Sequence, residues 1–142
     1  MKVWTIQLAK GKACQAAGIP VLDTTVKCGD KTFAPTWQIV LDVKSEKISQ
    51  ETYTEHYTSL MRWSYKCNQA RWLEVASMQE VAIACMCKAG KFCHRHLLVR
   101  MFESLCNKYG IEFERLGEWT PDVQGNRSTV CQQSPKLKTP DK

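Results

Sequence analysis

No stretch of this sequence approaches the roughly 20 apolar residues of a membrane-spanning helix, so no membrane partner is expected. The opening "MKVWTIQLAKGKA" has no long apolar stretch ahead of a small-residue cleavage site. It does not read as an export signal, and a cytoplasmic location is the expectation. Cys-x2-Cys knuckles, a common mark of structural zinc, are missing. "KAGKF" has one glycine and no Gly-Lys-Ser/Thr ending, so it is not a P-loop and nucleoside triphosphate hydrolysis is not indicated. No internal repeat and no second domain are visible.

What is present is an ordinary globular composition. The chain has 142 residues, 44% hydrophobic and 24% charged, enough for one domain with one respectable core. Its eight cysteines would mean a disulfide framework in a small secreted protein. Without an export signal they are expected to be mostly reduced, with metal binding or catalysis favoured over bridges. Cys14, Cys28, Cys67 and Cys106 are expected to serve as small buried hydrophobes. The net charge of +6 partly resides in the polar stretch "TPDVQGNRSTVCQQSPKLKTPDK". Residues 1–118 therefore read as the domain and 119–142 as a flexible basic tail. A mildly basic domain suits a small anion or an acidic partner, and nucleic acid is not expected.

Apolar and polar residues alternate in "KVWTIQL", which predicts a first strand. "KGKACQAAG" predicts a short helix closed by Gly18, and "IPVLDTTVK" a second strand. Pro35 is placed to open a helix over "TWQIVLDV". Ser49 is an N-cap for "QETYTEHYTSLMRWSYK", in which Tyr53, Tyr57, Leu60 and Met61 share a face. Asn68 can cap a further helix, "QARWLEVAS". "EVAIACM" is a third strand, a helix runs from about Phe92 to Tyr109 with Gly110 as its cap, and "IEFERL" is a short last strand. Strands alternating with helices predict an α/β fold with a mainly parallel sheet of about four strands. Ligands of such folds gather at the carboxyl ends of the strands. The loops after Lys27 and after Cys87 then share one mouth.

The run "VAIACMCKAGKFCHRHLLVRMF" admits three readings. Cys85, Cys87, Cys93 and either His94 or His96 are soft ligands of the kind zinc or iron accepts. Against this, Cys-x-Cys on a strand holds its sulfurs about 7 Å apart. Alternatively, the helix start binds an anion through its free N–H groups. Arg95 would supply a bidentate fork, Lys27 and Lys88 further charge, Cys93 an activated thiol and His94 its acid-base partner. The third reading is structural: Arg95 pairs with a carboxylate, the histidines bond carbonyls and Cys93 fills space.

The stretch from Val81 to His96 resembles the bacterial and phage family called domain of unknown function 488. Cys85 matches its strand-end cysteine, Lys88 its turn lysine, and Phe92-Cys93-His94-Arg95-His96 its Cys-His-Arg signature. "FAPTW" and "LDVKSEKISQETYTEHY" resemble its Pro-x-Trp and paired-tyrosine segments, so the likeness runs from about Lys2 to Leu116. It implies a Rossmann-like three-layer domain and no established reaction. Cys87 stands where that family usually has an acidic residue, and Met86 where it has an aromatic one. Either an activity has been lost or Cys87 adds a second thiol.

The leading expectation is a site for a phosphate-bearing or nucleotide-like small molecule, with no resident cofactor. Cys93 and His94 would be the reactive pair. Arg95, Lys88, Lys27, Cys85, Tyr53 and Tyr57 would contact the ligand. The alternative is a zinc or iron centre using Cys85, Cys87, Cys93 and His96 or His94. A third class is a phage-type module that captures a host protein through Trp37 or Trp63.

Overall fold

Four strands, β1 (Lys2–Gln7), β2 (Val21–Asp23), β3 (Glu80–Cys85) and β4 (Glu114–Glu118), form one sheet in the order β2-β3-β1-β4. Every pairing is parallel. The computed structural model describes residues 1–87 and 90–122. Five α-helices join the strands: α1 (Gly11–Ala16), α2 (Trp37–Lys44), α3 (Gln50–Cys67), α4 (Gln69–Ala76) and α5 (His94–Tyr109).

β1 and β3 are central, and both read as near-continuous buried runs. That is what a parallel strand covered on both faces requires. Side chains alternate between faces. Val3, Val81 and Ile83 therefore enter the larger core with Tyr57, Trp72, Leu98 and Phe102. Trp4, Ile6, Ala82 and Ala84 enter a smaller one with Cys14 and Trp119. The result is the expected three-layer, Rossmann-like α/β arrangement. Ser49 caps α3 by accepting from the Thr52 N–H at 3.0 Å, and Gly110 closes α5 at φ 69°, a left-handed turn that glycine takes without strain.

Several sequence expectations shift. The second strand stops at Asp23 because the carboxylate of Asp23 accepts from the Thr25 N–H and turns the chain. The last strand begins at Glu114 rather than Ile111, because Ile111 and Phe113 leave the α5 cap packed against the larger core. α2 starts after Pro35, with Thr36 as its N-cap. Cys14 and Cys106 are buried, but Cys28 and Cys67 are exposed, one in a turn and one ending α3. None of the seven cysteines among the described residues is bridged; Cys131 lies outside them.

Trp119, which composition assigned to the tail, is 1% exposed, and its N–H donates to the Thr5 carbonyl at 2.8 Å. The β4 ladder carries it into the smaller core, so the domain includes it. The expected tail from 123 onward lies outside the described residues. Among those described, no helix is long and apolar enough to cross a membrane. Trp37 and Trp63 are exposed, at 55% and 63%.

Candidate metal centre

β3 ends at Cys85, the chain bends through Met86 and Cys87, and it returns at Cys93, the N-cap of α5. Cys93 has extended backbone (φ −161°, ψ 147°), and its side chain makes no capping bond. The thiol is therefore free to point at its neighbours. Cys85 Sγ lies 4.0 Å and Cys93 Sγ 3.7 Å from Nδ1 of His94. These three donor atoms all lie within 4.8 Å of one another, and all three residues are buried. Cys87 Sγ is 3.9 Å from Cys85 Sγ. The expected 7 Å splay does not arise, because β3 has ended before Cys87 and the bend folds the second thiol back.

The tautomer of His94 follows from its partners. Its Nε2 lies 2.9 Å from the carbonyl of Thr24, which can only accept. Nε2 therefore carries the proton, and Nδ1 presents a bare lone pair to the thiols. The Thr24 hydroxyl sits 2.9 Å from the same nitrogen and donates to the carbonyl of Ala84 at 2.8 Å. Burial pushes the His94 pKa down to about 4, so the ring is neutral at physiological pH. Thr24 was not singled out from the sequence, although it follows the second strand at the mouth where ligands were expected.

The loop that presents Thr24 is tightly closed. Gly29 N–H donates to Thr25 O and Asp30 N–H to Asp23 O, at 3.0 and 2.7 Å. A Cβ on Gly29 would stand 2.4 Å from Thr25 N and 2.6 Å from Thr25 O. These are backbone atoms that cannot rotate away. Gly29→Ala is expected to cost about 2–3 kcal/mol and to displace Thr24 from His94. Urea denaturation checks this, and a loss under about 0.5 kcal/mol, the scale of a neutral surface change, would contradict it.

Arg95 does not face a pocket. It is fully buried; its Nη1 donates to Cys87 O at 2.8 Å and to Ile6 O at 3.5 Å. Its Nη2 lies 3.9 Å from Glu118 Oε1, which also accepts from the Thr5 hydroxyl at 2.7 Å. The guanidinium that was expected to grip an anion instead ties the ends of β1 and β4 to the bend carrying Cys87. The helix start is covered too, with Cys93 and His94 only 4% and 3% exposed. Glu118 is the partner that sequence reasoning missed, since composition placed it at the edge of the tail.

His96, expected among the ligands, points elsewhere. It lines a separate 240 Å³ cavity with Thr5, Arg100 and Glu118, because one residue along a helix turns the side chain by about 100°. His94 takes its place in the cluster. Tyr57 packs on the His94 ring at 5.3 Å between centroids, and its hydroxyl donates to Phe33 O. Tyr53 stacks on Tyr57 and meets Phe92 edge-on. Both tyrosines back the cluster as buried core. Lys27 is exposed on the turn after β2, and Lys88 lies outside the described residues.

Three adjacent thiols do not ionise independently. Hydrogen bonds from Cys85 and Cys93, with the charge of Arg95 behind them, hold the Cys87 thiol well below the usual range. Its negative charge and its hydrogen bond push Cys85 up, and the same two neighbours, with burial, push Cys93 up further. Cys87 is also the least buried of the three, and the charge of Arg95 favours its ionised form.

The donors suit a tetrahedral ion. Zn–S bonds of about 2.3 Å and Zn–N bonds of about 2.0 Å set neighbouring ligand atoms about 3.5–3.8 Å apart. The Sγ–Nδ1 separations of 4.0 and 3.7 Å are close to this, and the Cys85 and Cys93 sulfurs, within 4.8 Å of each other, need close by no more than about 1 Å. The far nitrogen of His94 already donates to a backbone carbonyl, the usual support for a metal-bound histidine.

Residues 17–105 match the family model described as the active DUF488-N3 subclade. No curated protein and no solved structure matches. The matched span contains the whole Cys85, Cys87, Cys93 and His94 cluster but leaves out β1 and β4.

Proposed function

We propose that this chain, a member of the DUF488 family, is an α/β protein with a zinc-class centre held by Cys85, Cys93 and His94. The convergence of three buried donors on one point, with His94 already oriented by Thr24, carries the proposal. Two thiolates and an imidazole favour zinc over hard cations, with iron as the nearest competitor. Cys87 stands beside the fourth position. Occupied by Cys87, the site is structural; vacated by it, the site admits a water or substrate, which the ion would polarise.

A nucleotide-like or other anionic ligand remains compatible with the position of the cluster at the carboxyl ends of the strands. With Arg95 buried, such a ligand would bind through the ion and exposed Lys27 rather than a guanidinium fork. One observation favours a metal-free second reading. Cys87 is half-buried, beside the charge of Arg95, so it, rather than the buried Cys93, would be the nucleophile.

Equilibrium dialysis of reduced, metal-free protein against zinc tests the centre. One ion per chain is expected, with a thiolate-to-metal absorption band when cobalt is substituted. Cys85→Ser and Cys93→Ser should each weaken binding at least about 100-fold, since each removes a ligand. Cys87→Ser should weaken it less. Wild type binding zinc no more tightly than the Cys85→Ser and Cys93→Ser variants would overturn the metal. Rapid alkylation confined to Cys87, with no zinc uptake, would then establish the thiol reading.

A further inference from the structure

Away from the cluster, α3 and α5 enclose a groove of about 520 Å³ near the C-terminal ends of both helices. Its floor is apolar: Met61, Trp72, Met101 and Leu105 line it, with Tyr65 at one side. Its rim carries Arg62, Lys66 and Lys108, all exposed, and no carboxylate is among the lining residues. The Lys108 ammonium lies 5.9 Å from the centre of the Tyr65 ring and 5.5 Å from that of Tyr109. Cation–π attraction therefore holds it at the mouth.

We propose that this groove docks a short acidic amphipathic helix of a partner protein. Tyrosine, methionine and arginine are enriched at protein interfaces, and of the lining residues the half-buried Tyr65 and Met101 and the exposed Arg62 reach the surface, Met101 as an adaptable apolar contact. The charge chooses the partner. Three cations with no lining carboxylate repel basic segments and attract acidic ones. Shape argues against a small amphiphile such as a fatty acid. Met61, Trp72 and Leu105 are only 2%, 3% and 8% exposed, so the floor is sealed and an acyl chain would stay half in water. A helix laid along the groove needs no depth, only apolar side chains at i, i+3, i+4 and i+7. Thr58 to Lys66, the α3 wall, spans about 12 Å, which accommodates two turns.

The groove is independent of the metal centre. His94 opens α5 while Met101, Leu105 and Lys108 lie in its later turns. Ten residues of helix, about 15 Å, separate His94 from the middle of the groove. Failure of either site therefore leaves the other intact.

The test uses the full chain and a fluorescein-labelled 16-residue peptide with leucine and phenylalanine on one face and glutamate on its flanks. Binding is expected with Kd on the order of 10–100 μM at low salt, weakening as salt rises. A peptide with lysine for glutamate should bind at least about tenfold more weakly. So should the variant Arg62→Glu/Lys66→Glu, whose melting temperature and zinc uptake are expected to be unchanged because both side chains are exposed. Amide shifts in a nitrogen-15 spectrum should cluster on α3 and α5. Equal binding of the two peptides, indifference to the charge reversal, or displacement of the peptide by sodium laurate would overturn the proposal.

Discussion

Arg95→Ala is expected to lower the unfolding free energy by about 3–5 kcal/mol, the usual cost of breaking a buried charge pair by removing one partner. A typical domain has only about 5–15 kcal/mol to lose, so the variant should be largely unfolded at modest urea. Three losses combine. The carbonyls of Cys87 and Ile6 lose their donor, and the Glu118 carboxylate, whose Oε2 is already buried without a partner among the described residues, loses its counter-charge. Arg95→Lys should recover little, because one ammonium cannot span two carbonyls and a carboxylate as a planar fork does. Arg95→Met combined with Glu118→Leu should be more stable than Arg95→Ala alone, since it removes the orphaned charge as well. Urea unfolding of all four proteins decides the matter. An Arg95→Ala loss below about 1 kcal/mol, the level of an ordinary hydrogen bond, would mean that the guanidinium is not the tie the structure shows.

Acidification should strip stability from the metal-free protein between about pH 6.5 and pH 4. His94 is held neutral by burial, with its pKa pushed down from 6.5 to about 4. The unfolded chain therefore takes up a proton before the folded one does. Stability from this group is complete above pH 6.5, falls as pH drops, and is fully lost below the folded pKa. The full depression corresponds to a loss on the order of 3 kcal/mol. His96 is also lowered, chiefly by burial and then by Arg95, and contributes in the same direction. Asp30 is lowered from 3.8, so its loss belongs to more acidic solution. Melting temperatures in a chelator, recorded across this range, should slope most steeply for wild type, somewhat less for His96→Asn and least for His94→Gln. A His94→Gln slope as steep as wild type would show that His94 titrates normally.

Zinc should deepen the same acid sensitivity. Protons compete with the ion for thiolates and for Nδ1, so the loaded protein should release zinc as it loses stability. Running the melts with and without chelator separates ligand competition from the linkage of His94 alone.

Much of the fold was legible because it depends on local patterns. Alternation in "KVWTIQL", the apolar run before Cys85, the Ser49 cap and Gly110 all act within a few residues. Each limits the backbone to few choices. Strand-helix alternation then leaves a parallel sheet as the economical solution. Boundaries were less legible at the second and last strands. There a side chain–backbone bond at Asp23 and the packing of Ile111 and Phe113 outweighed propensity.

The candidate site divides the same way. That soft ligands, a histidine and an arginine meet where a buried strand hands over to a helix is legible in the residue order. Adjacency along the chain suffices for that. Which of them converge was decided only in three dimensions. The rotation of each side chain about α5 sends His94 toward Cys85 and Cys93, Arg95 beneath the sheet ends, and His96 into another cavity. The partners that settle their roles, Thr24 at 70 residues' separation from His94 and Glu118 on the last strand, come from distant segments. The sheet order β2-β3-β1-β4 brings those segments alongside. A local pattern carries no record of which distant carbonyl or carboxylate will face it, and here that pairing separates an anion fork from a structural tie.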